Sequence, residues 1–229
     1  MKTVLITGSS HGLGKKLAIV FAKNGYNIIL HGRDKTSLRQ VKKKIRKYGV
    51  RCDIIIGDIT SEKTITRLSK ISEKRGIGIL INNAGIYEHK QFTDSCNLKK
   101  IIDVNLMAPI NLTHKVFPIF QQKHSGLIIN INSIAGKEGK DGESAYNASK
   151  HGLSGFSKSL QFDATRYSIR VMDIYLGAMD TQMIKERKWV GKPIKASDAA
   201  ELIFSISKEY TSMRITEVHL CRRIYQEPT

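Results

Sequence analysis

Two side chains near the middle of the sequence have the types and spacing needed for proton transfer. Tyr146 and Lys150 are four residues apart, so on a helix both project from the same face. A tyrosine hydroxyl has an ordinary pKa of ~10 and is a poor base at neutral pH. Because a neighbouring ammonium favours the phenolate, we expect Lys150 to lower the pKa of Tyr146 and make it a general acid and base. Taken alone, Tyr146 is more simply explained as a half-buried aromatic whose hydroxyl is hydrogen-bonded.

A glycine-rich segment directly follows the first apolar run of the chain. It reads Thr7-Gly8-Ser9-Ser10-His11-Gly12-Leu13-Gly14, and a helical pattern over residues 15–24 comes next. Missing Cβ atoms let backbone N–H groups and a helix N-terminus approach a pyrophosphate. The segment therefore predicts a dinucleotide site, with an ordinary tight turn as the alternative.

The end of the second predicted strand bears on which dinucleotide binds. An acidic residue here would bind the ribose 2′-hydroxyl of NAD, whereas an arginine accommodates the 2′-phosphate of NADP. The sequence has Gly32 at the acidic position, followed by Arg33 and Asp34. A planar guanidinium can bind a phosphate through two hydrogen bonds and stack on adenine, so we expect NADP(H) to be preferred over NAD(H). Alternatively, Arg33 merely begins a basic helix, and Asp34 weighs against NADP.

Short aliphatic runs must supply the framework that positions these residues. They predict strands at residues 4–6, 28–30, 54–56, 79–81, 127–131, 171–175 and 215–221, separated by segments with helical spacing. Runs of this kind without polar alternation suit strands buried on both faces of a parallel sheet. We predict a three-layer, doubly wound α/β fold with a mostly parallel seven-stranded sheet. Because no repeat or linker divides the chain, residues 1–229 are predicted to form one domain.

Composition narrows the possible classes of protein. Hydrophobic residues make up 41% of the 229 and charged residues 25%, which suits a soluble globular chain and not a collagen-like, disordered or membrane-embedded one. The cysteines, Cys52, Cys96 and Cys221, are too far apart to predict a zinc site or a disulfide framework. With no apolar stretch near the ~20 residues of a membrane span, we expect a cytoplasmic protein without a metal or a membrane partner.

The charge balance raises a second class of function. Lys and Arg total 38 against 20 Asp and Glu, a formal net charge of +18, so a nucleic-acid partner must be considered. The best candidate surface is the second predicted helix, over residues 35–47, but only Tyr48 offers an aromatic ring beside it. A solvated charged face is the simpler interpretation, and we predict no nucleic-acid partner.

Several motifs together resemble the short-chain dehydrogenase/reductase family over nearly the whole chain. They are the glycine-rich segment, Asp58 after the third strand, Asn82-Asn83-Ala84-Gly85 after the fourth, and Asn105, Ser133 and Tyr146-Asn147-Ala148-Ser149-Lys150. The resemblance implies a Rossmann fold and a catalytic tetrad of Asn105, Ser133, Tyr146 and Lys150. Ser133, which is otherwise a turn or cap hydroxyl, would bind the substrate oxygen, and Lys150 would bind the nicotinamide ribose. The implied cofactor-binding residues are Gly8, Ser10, His11, Gly12, Leu13, Gly14, Arg33, Asp58, Ile59, Asn83, Ala84, Gly85, Tyr146, Lys150, Gly177 and Thr181.

The activity implied by the resemblance is NADP(H)-dependent hydride transfer between the nicotinamide and a carbonyl or secondary alcohol. Cellular NADPH is usually the reduced partner, so we expect a reductase acting on a small molecule. The alternatives are a basic nucleic-acid-binding module and a family-like regulator that binds NADP without turnover. The small residues of the helix that carries Tyr146, over residues 144–159, also imply a homodimer or homotetramer. Close packing of that helix on its own sheet is the other explanation.

Asn105 lies in an apolar helical stripe, four residues before Pro109. Because proline has no N–H, the helix should bend and the Asn105 carbonyl should lose its usual partner. We hypothesise that this carbonyl holds a water that links Lys150 to solvent, as in the family's proton relay. A bend with only a packing role is the alternative.

The region after the sixth strand departs from the family pattern. Leu176 replaces the usual proline, which allows a more mobile loop, while Gly177 and Thr181 are retained. A short substrate lid is expected at about residues 178–195, and it contains Trp189, which either stacks on substrate or packs on the protein. The lid's basic residues make an acidic substrate conceivable, although a solvated loop explains them more simply; they are Lys185, Arg187, Lys188, Lys192 and Lys195. The C-terminal run from Arg214 to Val218 lacks the family's glycine-rich ending, which puts the usual contacts there in doubt.

Overall fold

The protein, examined as a computed structural model that describes residues 2–94, 97–181, 192–208 and 213–222, has the predicted doubly wound architecture. All pairings in its seven-stranded sheet are parallel, in the order β3-β2-β1-β4-β5-β6-β7. The strands are β1 (Thr3–Ile6), β2 (Asn27–Gly32), β3 (Cys52–Ile56), β4 (Ile77–Asn82), β5 (Gly126–Ser133), β6 (Ile169–Leu176) and β7 (Glu217–Leu220). The strand order reverses between β1 and β4, where folds of this kind bind their ligands. The predicted fold class is therefore confirmed.

Helices cover both faces of the sheet. They are α1 (Gly12–Lys23), α2 (Lys35–Arg46), α3 (Glu62–Lys74), α4 (Leu98–Ile102), α5 (Ala108–Lys123), α6 (Ser144–Thr165) and α7 (Ala196–Ser207). Side chains alternate across the sheet, so Val4 and Ile6 pack with α1, α2 and α7, whereas Leu5 packs with α3 and α5. The aliphatic runs are thus buried on both sides, as their composition predicts.

The boundaries of two predicted elements shift. Helix α1 begins at Gly12, inside the glycine-rich segment, and not at residue 15, because an apolar pattern does not reveal helical glycines. Strand β7 is shorter than the predicted 215–221 and runs from Glu217 to Leu220. Of the lid, Trp189 and the basic residues Lys185, Arg187 and Lys188 lie outside the described residues. The assignment of the whole chain to one domain stays a prediction.

A π-helical turn, Asp103–Met107, stands where a bend was predicted before Pro109. The backbone N–H of Ala108 donates to the Asp103 carbonyl, five residues back. Pro109 has no N–H to donate, so the wider turn accommodates it near the start of α5. The helix is therefore irregular at the predicted place, while the bend itself and the water at the Asn105 carbonyl stay predictions.

The small residues of α6 are divided between the interior of the chain and its surface. Ala145, Ser149, Ser154 and Ser157 are buried within the chain, whereas Gly155 is exposed. A Cβ on Gly152 would lie 2.8 Å from a methyl group of Leu106, so this part of the helix packs closely on its own chain. The homodimer or homotetramer stays a prediction. Within the described ranges no helix is long and apolar enough to cross a bilayer, and no three metal-binding side chains cluster.

Candidate active site

A cleft of about 740 Å³ opens along the carboxyl ends of the strands. Its wall includes every predicted catalytic and cofactor-binding residue except Asn105, which lies behind it. The cleft extends from the glycine-rich segment and Arg33 at one end to Ser133, Tyr146 and Lys150 at the other. The fold thus brings together residues that are far apart in the sequence.

The glycine-rich segment is packed so closely that side chains would not fit. A Cβ on Gly8, where φ is +64°, would lie 2.8 Å from the Ala84 Cα, and a Cβ on Gly14 would overlap the Gly8 carbonyl oxygen. Asn83 donates from Nδ2 to the carbonyls of Thr7 and Gly8, at 2.8 and 3.1 Å. The Thr7 hydroxyl accepts from the N–H groups of Asn83 and Ala84, at 2.9 and 3.0 Å. The segment after β4 therefore braces the glycine turn as well as lining the cleft.

The end of β2 carries an exposed arginine beside a capped helix. The Asp34 carboxylate accepts from the N–H groups of Thr36 and Ser37, at 2.9 and 3.1 Å, and so caps α2. Hydrogen bonds from Ser37, first from its hydroxyl, hold the pKa of Asp34 below its ordinary value. His11 lies 3.0 Å from the Ser37 hydroxyl and 3.1 Å from that of Ser10. Asp34 thus has a structural use, which weakens it as evidence against a phosphate near Arg33.

Asp58 lies at the other side of this end of the cleft. Its Oδ1 accepts from the backbone N–H and the hydroxyl of Thr60, at 2.9 and 2.8 Å. The Thr60 backbone hydrogen bond is the main cause that lowers the pKa of Asp58, and the positive charge of Arg33 adds to it. Ile59 beside it is buried. The Asp58 carboxylate is therefore charged, and it is fixed in orientation in the wall of the cleft.

His31 is a functional candidate that the sequence analysis did not single out. Its ring is 2% exposed, with Nε2 3.2 Å from the Gly57 carbonyl and Nδ1 3.5 Å from the Gly8 N–H. Burial lowers the pKa of His31 to about 4. The ring is therefore neutral near pH 7: Nε2 donates to Gly57 and Nδ1 accepts from Gly8. It links the two turns that form the glycine-rich end of the cleft. A polar residue inside an aliphatic strand is the one signal that could have identified it.

The buried His31 makes stability depend on pH. Its pKa is about 4 in the folded chain and ordinarily 6.5, so between pH 4 and pH 6.5 the unfolded chain binds a proton that the folded chain does not. The free energy of unfolding should fall by about 2 kcal/mol from this group when the pH drops from about 7.5 to about 5. Urea unfolding at both pH values measures the free energy of unfolding. The His31→Gln variant should lack the fall that is due to His31.

Two comparisons isolate the effect of His31. Burial raises the pKa of Asp173 to about 6, which gives the opposite pH dependence, but this contribution is shared by wild type and variant and cancels in their difference. His114→Gln changes an exposed histidine and should leave the wild-type dependence unchanged. Equal pH dependences in wild type and His31→Gln would contradict the assignment of a buried neutral ring.

The opposite end of the cleft holds Ser133, Tyr146 and Lys150. Ser133 ends β5, and its hydroxyl accepts from the Ala135 N–H at 3.2 Å. Burial raises the pKa of Tyr146 to about 12, a hydrogen bond with Ser133 lowers it, and the charge of Glu143 raises it. This direction corrects the expectation that Lys150 lowers the pKa of Tyr146. Burial sets the direction of the shift, and Lys150 is not among its causes.

The position of Lys150 explains that correction. Its Nζ donates to the Ile131 carbonyl at 3.0 Å and lies 5.8 Å from the centre of the Tyr146 ring. Burial lowers the pKa of Lys150 to about 8, while the charge of Asp173 raises it. Spacing of four residues places both side chains on one face, but it does not bring the ammonium to the hydroxyl.

Asn105 lies behind the cleft, and its side chain forms hydrogen bonds to two segments of the cleft wall. Its Oδ1 accepts from the Ile86 N–H at 2.8 Å, and its Nδ2 donates to the Ile86 carbonyl at 2.9 Å and to the Ser149 hydroxyl at 3.2 Å. Ser149 in turn donates to the Tyr146 carbonyl at 2.7 Å. The buried amide is therefore satisfied, and it joins the segment after β4 to the helix that carries Tyr146.

The end of β6 closes the cleft. Leu176 is the last residue of the strand, is buried and pairs with Ser133 and Leu220. The Gly177 N–H donates to the Leu220 carbonyl at 2.9 Å, and a Cβ on Gly12 would lie 3.4 Å from Thr181. With leucine in place of proline, β6 stays paired with β5 and β7 up to the cleft. The hydrogen bond between Leu220 and Gly177 forms although the C-terminal run lacks the family's glycine-rich ending.

Comparison with known proteins agrees with this architecture. The family model for short chain dehydrogenases matches residues 2–189. An uncharacterised oxidoreductase of Staphylococcus saprophyticus is 31% identical over 224 residues, which cover 95% of each chain. An NADP-dependent 3-hydroxy acid dehydrogenase of Schizosaccharomyces pombe is 31% identical over 226 residues, 96% of this chain and 85% of the other. A metagenomic short-chain oxidoreductase solved with NADP is 26% identical, with a TM-score of 0.86 and 98% of both chains covered. The chain therefore belongs to the short-chain dehydrogenase/reductase family and is an oxidoreductase.

Proposed function

We propose that the protein reduces a small carbonyl compound with NADPH, and oxidises the corresponding secondary alcohol in reverse. The observation that carries the proposal is that one cleft holds the glycine-rich turn at one end and Ser133, Tyr146 and Lys150 at the other. When bound, the nicotinamide supplies the hydride, so the protein must place the oxygen and move one proton. The matched relatives support oxidoreductase chemistry of this kind.

The residues at the Tyr146 end have distinct proposed roles. Ser133, at the ligand-binding edge of the sheet, hydrogen-bonds the substrate oxygen. Tyr146, whose pKa is raised to about 12 by burial, is protonated at neutral pH and donates that proton to the developing alkoxide. Lys150 binds the nicotinamide ribose, and Asn105 holds the helix through Ser149. A protonated Tyr146 favours the reductive direction, which needs a proton donor.

The glycine-rich end fits a dinucleotide phosphate. Gly8 and Gly14 let the turn fold closely, Gly12 leaves the start of α1 open to a pyrophosphate, and Asp58 faces the adenosine end of the cleft. Gly32 leaves no acidic group at the end of β2, while Arg33 is exposed beside it. We infer that Arg33 binds the 2′-phosphate of NADP. The names of two matched proteins, one NADP-dependent and one solved with NADP, support this choice.

Replacing Arg33 tests the cofactor preference. Hydrogen bonds to charged groups contribute about 1.5–3 kcal/mol, so Arg33→Ala should weaken NADPH binding by at least about tenfold. NADH binding should change less than about threefold because NADH has no 2′-phosphate. Isothermal titration with each nucleotide measures both affinities. Arg39→Ala removes the same charge from the exposed face of α2 and should leave both unchanged. Equal losses for the two nucleotides, or tighter NADH binding by wild type, would refute the preference.

A panel of carbonyl compounds and secondary alcohols, followed by NADPH absorbance, tests the reaction itself. We expect turnover of at least one carbonyl with NADPH and faster reduction than oxidation near pH 7. NADPH binding without turnover of any compound in a broad panel would favour the non-catalytic regulator instead. The cytoplasmic location and the homo-oligomeric state are further predictions, and sedimentation at micromolar concentration measures the latter.

A further inference from the structure

A buried carboxylate lies beside Tyr146 and has no place in the catalytic tetrad. Glu143 is 3% exposed, immediately precedes α6 and lines the same cleft as Tyr146. It is the residue before the first turn of α6, three positions before Tyr146. Glutamate is almost never fully buried unless it is paired. Its position therefore points to a role in the cleft.

The Glu143 carboxylate is joined to Tyr146 through a second tyrosine. Glu143 Oε1 accepts from the Tyr87 hydroxyl at 2.9 Å. The Tyr87 ring packs against the Tyr146 ring in a T-shaped contact, with centroids 5.0 Å apart and an interplanar angle of 86°. The Lys90 N–H donates to the Gly142 carbonyl at 2.8 Å, so the segment after β4 is fixed to the segment before α6. The Tyr146 ring is thereby in contact with a segment outside its own helix.

We propose that Glu143 is a positioning residue for Tyr146: through its hydrogen bond with Tyr87 it fixes the ring, and its buried carboxylate disfavours the loss of the Tyr146 proton. The inference rests on the proposed function of Tyr146 as the proton donor. It adds a residue that fixes the orientation of that donor.

The electrostatics of the cleft agree with this assignment. Burial is the largest cause that raises the pKa of Tyr146, and the charge of Glu143 adds to it, whereas Ser133 acts in the other direction. Among the described residues, the lysines that line the same cleft are Lys99, Lys100, Lys140 and Lys150, and Lys150 Nζ lies 5.8 Å from the ring centre. A carboxylate in a poorly solvated site disfavours a second negative charge nearby. Removing it should let the phenolate form at lower pH.

Titration of Tyr146 by NMR tests the inference without turnover or cofactor. The full-length protein is labelled with 13C at the tyrosine Cζ atoms, and the Tyr146 signal is identified by its absence in Tyr146→Phe. Glu143→Gln keeps an acceptor for Tyr87 but removes the charge. We expect its Tyr146 signal to titrate at least about half a pH unit below that of wild type. Glu138→Gln removes a carboxylate from an exposed position five residues earlier, and should overlay wild type.

Tyr87→Phe provides a second, independent variant. It removes the hydrogen bond to the carboxylate while keeping the ring and the charge, so Tyr146 should titrate at no lower pH than in wild type. The alkaline limb of the pH profile for NADPH-dependent reduction should move with the NMR titration in each variant. Superimposable Tyr146 titrations in wild type and Glu143→Gln, or a downward shift in Tyr87→Phe as large as in Glu143→Gln, would overturn the inference. Loss of the proposed function is separable, because it would show as full activity in Tyr146→Phe whatever the titrations give.

Discussion

Replacing Tyr146 by phenylalanine is expected to lower kcat/KM for NADPH-dependent carbonyl reduction by about a thousandfold, since a general acid contributes roughly 10²–10⁴ in rate. The substitution removes the hydroxyl that donates the proton and keeps the ring that packs on Tyr87. Helix α6 should keep its place because the Tyr146 backbone carbonyl still accepts from Ser149. Steady-state kinetics with the best carbonyl substrate measure the loss, and it should be found in kcat.

Two measurements separate lost chemistry from lost binding or folding. NADPH affinity, measured by titration, should change by no more than about fivefold, because one neutral hydrogen bond contributes only about 1 kcal/mol. Tyr48→Phe removes a hydroxyl outside the cleft and should retain wild-type activity. A Tyr146→Phe enzyme with more than about a tenth of wild-type kcat/KM would exclude Tyr146 as the proton donor.

The central strands were predictable from the sequence because their aliphatic residues occupy both faces. Val4, Leu5 and Ile6 show the reason: alternate residues enter different cores, and both are apolar. A parallel sheet then places the ends of β1 and β5 at one edge, so the glycine turn and Ser133 were expected to share a site. The sequence pattern is sufficient to predict these strands because burial on both faces requires apolar side chains on both faces.

The pKa of Tyr146 cannot be predicted from the spacing of Tyr146 and Lys150 in the sequence. The distance of four residues between Tyr146 and Lys150 fixes a shared helix face, but not the direction of a flexible lysine. Lys150 donates to the Ile131 carbonyl instead, and burial then dominates the pKa of Tyr146. The depth of a side chain in a folded cleft depends on segments that are remote in sequence.

His31 and Glu143 were missed for a related reason. The partner of His31 Nε2 is 26 residues away, and the partner of Glu143 is 56 residues away. Neither residue belongs to a local motif, so only the tertiary fold reveals the contact. Asp34 is the opposite case. Its place next to Arg33 in the sequence weighs against NADP, whereas in the structure its carboxylate accepts hydrogen bonds from Thr36 and Ser37 and caps α2.

The glycine turn gives the second large effect. Gly14→Ala is expected to weaken NADPH binding by about a hundredfold, because overpacking a close contact costs about 1–3 kcal/mol and the strain falls on the phosphate-binding turn. The added Cβ would overlap the Gly8 carbonyl oxygen and lie 2.5 Å from Asn83 Nδ2. Asn83 braces Thr7 and Gly8, so it cannot move away without releasing the turn. Fluorescence titration with NADPH measures the affinity.

Gly139→Ala is the matched control for this substitution. A Cβ at Gly139 would meet no heavy atom of the described residues within 4 Å, and Gly139 does not line the cleft. NADPH affinity and the melting temperature should therefore equal those of wild type. Circular dichroism of Gly14→Ala shows whether the fold survives, and a folded Gly14→Ala protein that binds NADPH as tightly as Gly139→Ala would contradict the steric argument. The physical reason for the contrast is that Gly14 contacts backbone, which cannot retreat as a flexible side chain can, whereas Gly139 faces open space.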